Sequence, residues 1–305
     1  MTAPHLPVLY KEIIHALQPK AGGRYIDGTL GAGGHSAGLL EASAPTGEVL
    51  AFDLDPQAIE LARARLASFG ERVHIIQASY VKMAEGVARL GWDAVDGIVL
   101  DLGVSSMQLD TAERGFSFLQ DAPLDMRFSP NASLSAADLV NSLPESELAD
   151  ILFRYGEERQ SRRIARVIGQ NRPITTTRQL ADLILKTIGK KERIHPATRA
   201  FQALRIAVNG ELDAVESVLP IAIGLLRPGG RLAVISFHSL EDRIVKETFR
   251  RESTDCLCPP RQPVCTCGHR ASIQPVARKP IEASEVEIQE NSRARSAKLR
   301  VVEKL

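Results

Sequence analysis

The chain has 305 residues, of which 44% are hydrophobic and 25% charged, with a formal net charge of +1. This is the makeup of a globular protein with one large or two ordinary domains. No run of about 18 apolar residues occurs, so no membrane span is expected. The first residues lack a basic segment leading into an apolar core, so no secretory signal is expected and a cytoplasmic protein is. Near-balanced charge excludes any argument for a nucleic-acid partner from bulk charge; such a partner would need local basic clusters.

Val8 to Leu17 reads as a short amphipathic helix that ends before Pro19. The next stretch, Tyr25-Ile-Asp-Gly-Thr-Leu-Gly-Ala-Gly-Gly-His35, is a short apolar strand ending in Asp27, a turn built on Gly28, Gly31, Gly33 and Gly34, and a helix from His35 to Ala42. Strand, glycine loop and helix open a nucleotide-binding α/β unit, because glycine lets bare backbone turn sharply against a ligand. A dinucleotide fingerprint started at Gly31 and Gly33 wants a third glycine at position 36, which is Ser36. A diphosphate would also be repelled by Asp27 at the loop entrance. S-adenosylmethionine (SAM) has no phosphate. Its amino group suits Asp27, and its carboxylate suits the loop N–H groups and the helix N-terminus.

A second buried strand, Val49-Leu-Ala-Phe-Asp53, places Asp53 20 residues after Gly33, where a carboxylate grips ribose hydroxyls in such folds. Asp55 precedes Pro56 and a helical stripe, so it reads as an N-cap and leaves the ligand role to Asp53. Val73 to Gln77 is a third strand, and Tyr80 just beyond it is placed to pack on an adenine. After a helix around Met83–Leu90, a fourth strand, Val95-Asp-Gly-Ile-Val-Leu-Asp101, again ends in an acid. Such strands with crossover helices predict a doubly wound sheet with its ligand crevice outside the strand carboxyl ends, where the glycine loop, Asp53, Tyr80 and Asp101 all fall.

The alternation then breaks. From Gln108 to Ala207 only helical stripes appear, which predicts an inserted helical domain. The sheet pattern resumes with a helix from Leu212 to Leu226 and a fifth strand, Arg231 to Phe237. Glu285–Gln289 and Lys298–Glu303 read as a closing antiparallel pair. The expected fold is therefore α/β, a class I SAM-dependent methyltransferase sheet with an all-helical insert. Residues 1–107 and 208–305 form the SAM-binding domain, and residues 108–207 form the substrate-recognition insert.

The four cysteines, Cys256, Cys258, Cys265 and Cys267, form a C-x-C-x6-C-x-C pattern. Reduced, unliganded thiols are the expected state and no metal is assigned to the chemistry, although four thiolates would also suit a tetrahedral zinc.

Several long stretches carry a family resemblance. They are His5-Leu-Pro-Val-Leu9, the glycine loop through Ser36, Asp101-Leu-Gly-Val-Ser-Ser-Met-Gln-Leu-Asp110, Glu113-Arg-Gly-Phe-Ser-Phe118, Pro123-Leu-Asp-Met-Arg127, Tyr155-Gly-Glu-Glu158, His195 to Arg205, Ser236 to Arg243 and Arg293 to Arg300. The chain closely resembles the bacterial 16S ribosomal RNA (cytosine-N4)-methyltransferases of the RsmH or MraW type. The resemblance implies SAM-dependent methylation of N4 of one cytidine in the decoding region of the small ribosomal subunit, by a cytoplasmic homodimer. It carries SAM contacts over to Gly33, Gly34, His35, Asp53, Tyr80, Asp101 and Gln108. Met107 stands where proline is common in the family.

Methyl transfer from a sulfonium is an in-line displacement, with the methyl held about 3 Å from the nucleophile. The nucleophile here is an exocyclic amine, which needs acceptors for its hydrogens and no covalent cysteine. Asp101 is placed to bridge cofactor and target amine, with Ser105 or Ser106 assisting; holding SAM alone is the competing role for Asp101. His238 either contacts the target base or caps a loop, and His195 reads as a helix cap. The arginines of the 154–172 region and the cluster Arg293, Arg295, Lys298 and Arg300 suit phosphate contact, each weighed against a solvated face. Phe116, Phe118 and Phe128, with Arg114 and Arg127, offer either stacking surfaces for an extruded base or packing between the domains. The competing functions are an amino-methyltransferase for DNA or another RNA, and a ribosome assembly factor that binds SAM without catalysis.

Overall fold

A computed structural model of the chain describes residues 7–189, 194–260, 262 and 264–305. In chain order the elements are α1 (Tyr10–Leu17), β1 (Arg24–Asp27), α2 (Gly34–Ala42), β2 (Glu48–Asp53), α3 (Pro56–Leu66), β3 (Val73–Gln77), α4 (Met83–Arg89), β4 (Val95–Asp101), α5 (Ser106–Asp110), α6 (Ala136–Ser142), α7 (Glu145–Gly156), α8 (Ser161–Gln170), α9 (Thr177–Ile188), α10 (Ala197–Asn209), α11 (Glu211–Leu225), β5 (Leu226–Ser236), α12 (Ser239–Glu252), β6 (Ile273–Pro275), β7 (Ile281–Glu282), α13 (Glu285–Glu290) and β8 (Lys298–Lys304).

The sheet runs β3-β2-β1-β4-β5-β8-β6, with β7 paired to β8 off that path. β1 to β5 are mutually parallel, and β8 is antiparallel to β5, β6 and β7. A parallel half closed by an antiparallel strand beside β5 is the arrangement expected of a class I methyltransferase sheet. The order reverses between β1 and β4, which makes the carboxyl ends of these strands the ligand edge.

Both faces of the sheet are covered, so its central strands are apolar at almost every position. Tyr25, Val49, Ala51 and Val99 face one core with α1 and α2. Ile26, Leu50, Phe52, Ile98 and Leu100 face the other, with α4, α11 and α12. The period of two along each strand assigns alternate residues to opposite layers.

The chain divides into two compact units, Met1–Gly103 with Leu212–Leu305, and Val104–Glu211. The expected insert limits of 108 and 207 lie four residues inside those of the second unit at either end. That unit has its own core of Leu124, Val140, Leu148, Leu152, Ile164, Leu180 and Leu204.

Three expectations are corrected. Glu285–Glu290 is helix α13 and not a strand: Ser284 caps it by accepting the N–H of Glu287, and Val286 points into solvent at 64% exposure. The antiparallel partners of β8 are β5, β6 and β7. β5 begins at Leu226 rather than Arg231, and its register against β4 jumps between Val95 and Gly97 to absorb the Pro-Gly-Gly segment.

Candidate active site at the carboxyl edge of the sheet

The loop between β1 and α2 stitches three strand ends together. Gly28 N–H donates to the carbonyl of Val99 in β4 (2.9 Å), and Leu30 N–H donates to that of Phe52 in β2 (2.9 Å). Asp53 Oδ2 accepts the N–H of Gly31 at 2.8 Å, and Thr29 Oγ1 accepts the N–H of Asp101 at 2.6 Å. The acids that end β1, β2 and β4 therefore all border one loop, and each strand end is held in register by it.

Gly33 is the N-cap of α2 at φ 78°, a left-handed conformation that glycine adopts without strain. A Cβ there would also lie 3.2 Å from Leu66 and 3.3 Å from Ala62. A Cβ on Gly34 would lie 2.9 Å from Pro7, so Pro7 packs against the start of α2. The N–H groups of the first turn of α2 have no acceptor within the helix and are available to an anion.

Asp27 is 1% exposed, and both of its oxygens have partners inside the loop. Oδ1 accepts the N–H of Thr29 at 3.1 Å and Oδ2 accepts the hydroxyl of Ser36 at 2.7 Å. Burial raises its pKa above the usual carboxylate range. The expected meeting of Asp27 with a ligand amino group is thus joined by a second task, holding the loop shut through Ser36. The sequence reading treated Ser36 only as a missing glycine. A buried serine one turn into the helix, facing an acid at the strand end, was the available signal.

Asp53 is half-buried. Burial pushes its pKa up to about 6, against the opposing pull of the N–H groups of Asp55 and Gly31. Asp55 is the N-cap of α3 and accepts the N–H of Gln57 at 3.0 Å, as its place before Pro56 predicts. Ribose hydroxyls donate to an ionised carboxylate, so SAM affinity is expected to be full above about pH 7 and to fall by up to tenfold per unit below about pH 6. The folded pKa lies above the ordinary value of 3.8. The folded chain therefore takes up this proton first as pH drops, and the group's contribution to ligand-free stability rises between about pH 7 and pH 4 while affinity declines. Calorimetry from about pH 5.5 to 8 reads the effect; Asp53→Asn is expected to flatten it.

Asp101 ends β4 with its carboxyl group 23% exposed. Oδ1 is shielded from water and has no hydrogen-bond partner. The ring of His35 is 4% exposed, and its Nε2 lies 3.6 Å from Asp101 Oδ2. Neither ring nitrogen of His35 has a hydrogen-bond partner. Tyr10 stacks on the ring with centroids 6.4 Å apart. The resemblance gives His35 a SAM contact; the structure adds a buried imidazole 3.6 Å from the Asp101 carboxylate. Tyr80 opens a short 3-10 turn after β3, and its Cβ lies 3.2 Å from where a Cβ on Gly28 would stand.

Ser105, Ser106 and Gln108 belong to the helical unit. Ser105 and Gln108 form a capping box at the start of α5: Ser105 Oγ accepts the N–H of Gln108 at 3.2 Å and Gln108 Oε1 accepts that of Ser105 at 3.1 Å. Ser106 is the first residue of α5, and its side chain lies outside the described part of the structure.

Other candidates have structural partners. His238 is the N-cap of α12, with Nδ1 accepting the N–H of Glu241 at 3.4 Å. His195 Nδ1 accepts the N–H of Ala197, the first residue of α10, at 3.2 Å. Arg300 forms a bidentate pair with Asp242 at 2.7 and 3.0 Å, and Arg172 donates to the carbonyls of Val140 and Leu143, so both leave the set of phosphate-binding candidates. Phe116 is buried in the core of the helical unit and stacks on Phe128; Phe118 packs on Phe201 and His195 in the same core. On α7 and α8 and the segment joining them, Arg154, Arg159, Arg162, Arg163 and Arg166 are exposed.

Among proteins of known type, a ribosomal RNA small subunit methyltransferase H from Citrifermentans bemidjiense is 55% identical over 307 residues, covering 99% of this chain and 98% of that one. Its counterpart from Geobacter sulfurreducens is 55% identical over 311 residues and covers both chains in full. That from Heliobacterium modesticaldum is 50% identical over 312 residues, again over both full lengths. The MraW methylase family model matches residues 2–305. Similarity that runs through both the loop-bearing sheet and the helical insert leaves one assignment: this chain belongs to the MraW methylase family.

Proposed function

We propose that the protein transfers a methyl group from SAM to N4 of a cytidine in the decoding region of 16S ribosomal RNA. The observation that carries the catalytic part of this reading is Asp101, whose side chain remains 23% exposed at the ligand edge of the sheet. The residues present fit the cofactor. The Asp53 carboxylate is half-buried at the end of β2, where ribose hydroxyls would donate to it. Gly34 and His35 supply first-turn N–H groups for a carboxylate, Gly33 gives the left-handed turn that exposes them, and Asp27 lies near the amino group. Tyr80 offers a ring for the adenine, and Gln108 is assigned to the same cofactor through the resemblance.

When bound, SAM supplies an electrophilic methyl on a sulfonium. The cytosine amine is a weak nucleophile because its lone pair is delocalised into the ring. Asp101 accepts a hydrogen bond from the amine, which favours a pyramidal nitrogen with its lone pair aimed outward. As the new bond forms, the nitrogen becomes acidic, and Asp101 takes the proton. His35, directed at the other carboxylate oxygen, orients Asp101. Ser105 and Ser106 complete the proposed catalytic set.

The exposed arginines of α7 and α8 support the helical unit as the rRNA-recognition domain, because such a face meets phosphates without reading bases. The reading includes a homodimer in the cytoplasm, as the resemblance implies; among the described residues no helix is long and apolar enough to cross a membrane. The test uses small ribosomal subunits from a strain lacking the gene, purified protein and labelled SAM. Label is expected at N4 of a single cytidine of the decoding region. Label in DNA or at other nucleotides would move the protein to the other amino-methyltransferases. SAM binding with no transfer to any subunit preparation would make it an assembly factor.

A further inference from the structure

The segment joining α12 to β6 has no hydrophobic reason to be ordered: none of its described residues from Ser253 to Ala271 is buried. Leu257 and Val264 point into solvent at 46% and 70% exposure. Yet its four cysteines converge, with all four sulfurs within 4.8 Å of one another. Cys256 and Cys265 are 3.5 Å apart, Cys265 and Cys267 3.6 Å, and Cys256 and Cys267 3.9 Å. A disulfide would need about 2.05 Å. A tetrahedron of sulfurs around a metal with bonds of about 2.3 Å has edges of about 3.8 Å, which these separations match.

The two C-x-C arms also serve one another reciprocally. Leu257, between the first pair, donates its N–H to Cys267 Sγ at 3.3 Å. Thr266, between the second pair, donates its N–H to Cys258 Sγ at 3.4 Å. Hydrogen bonds of this kind favour thiolate over thiol. Several thiolates packed this closely repel one another unless a cation lies among them.

We propose that Cys256, Cys258, Cys265 and Cys267 bind a zinc ion as a tetrathiolate. Zinc fits because four soft sulfur donors in a tetrahedral set leave no open coordination position, which makes the site structural and not catalytic. Its task follows from what the segment connects. The ends of the loop are already drawn together, with Ser272 N–H donating to the carbonyl of Glu252 at 2.8 Å and the ring of His269 2.9 Å from that of Arg251. A metal would close the middle of the same loop and so fix the exit from α12 to the edge strand β6.

The full-length protein, purified without chelator or affinity metal, is analysed by elemental mass spectrometry. About one zinc per chain is expected, released in step with the titration of four thiols by a mercurial. Replacement by cobalt is expected to give intense tetrahedral d–d bands and a sulfur-to-cobalt charge-transfer band. Cys258→Ser with Cys265→Ser is expected to cut bound zinc at least tenfold while SAM binding persists. If that variant fails to fold, the cobalt spectrum of the unaltered protein decides. Zinc below about a tenth of an equivalent with four freely reactive thiols, a disulfide in the protein as isolated, or cobalt without the charge-transfer band would each overturn the proposal.

Discussion

Asp101→Asn is expected to lower methyl transfer at saturating SAM by about a hundredfold or more, the usual contribution of a positioned proton acceptor. The amide has nearly the shape of the carboxylate, so the N–H of Asp101 keeps its bond to Thr29 Oγ1 and the strand end stays in place. What changes is one carboxylate oxygen, which becomes an amide nitrogen. An amide oxygen can still accept a hydrogen bond from the cytosine amine but cannot take its proton. Single-turnover transfer to small ribosomal subunits, with SAM affinity measured separately by calorimetry, separates the two roles. Affinity changed by less than about tenfold together with a large loss of rate assigns the proton to Asp101. Normal turnover would leave Asp101 with cofactor binding alone.

The second large effect is on binding. Asp53→Ala is expected to weaken SAM affinity about a hundredfold, or about 3 kcal/mol, because hydrogen bonds to a charged acceptor contribute roughly 1.5–3 kcal/mol each. The carboxylate has two tasks, since it also accepts the N–H groups of Gly31 and Asp55. Asp53→Asn retains an acceptor for one of those N–H groups and is expected to lose only about tenfold, with one charge-assisted bond weakened rather than deleted. Turnover at saturating SAM should stay within about threefold for Asp53→Asn, because the proposed place of the residue is at the cofactor and not at the amine. Equal affinity in all three proteins would remove Asp53 from the cofactor site.

The sheet was legible because its central strands are buried on both faces. Runs such as Val49 to Phe52 are apolar throughout, short and closed by an acid, which suits a strand buried on both faces. The glycine loop was legible for a related reason, since a left-handed residue at a helix start leaves few alternatives to Gly33. Pairings distant in the chain were not. His35 and Asp101 are separated by most of the parallel half, and no local pattern links an imidazole after one strand to a carboxylate after another. Asp27 and Ser36 are nearer, but a serine at a position where a glycine was sought looked like a defect and not a partner.

The region of α13 misled for the opposite reason. Val286 and Ile288 alternate with polar residues as in a strand, yet Ser284 and Glu287 form the start signal of a helix, and the cap prevailed. Arg300 shows the limit of reading charge alone: a basic run suggests a phosphate face, whereas its guanidinium is committed to Asp242.

The placement of the helical unit between neighbouring strands has a consequence for biosynthesis. β4 pairs with β5, but the whole of Val104–Glu211 is made between them. On the ribosome the nascent sheet therefore waits, at about 5–20 residues per second, for some seconds with one flank of β4 uncovered. A unit with a hydrophobic interior of its own can collapse during that interval. The long loop that β4 and β5 must close is by then a compact body with its ends defined, which lessens the entropy lost when the last strands arrive.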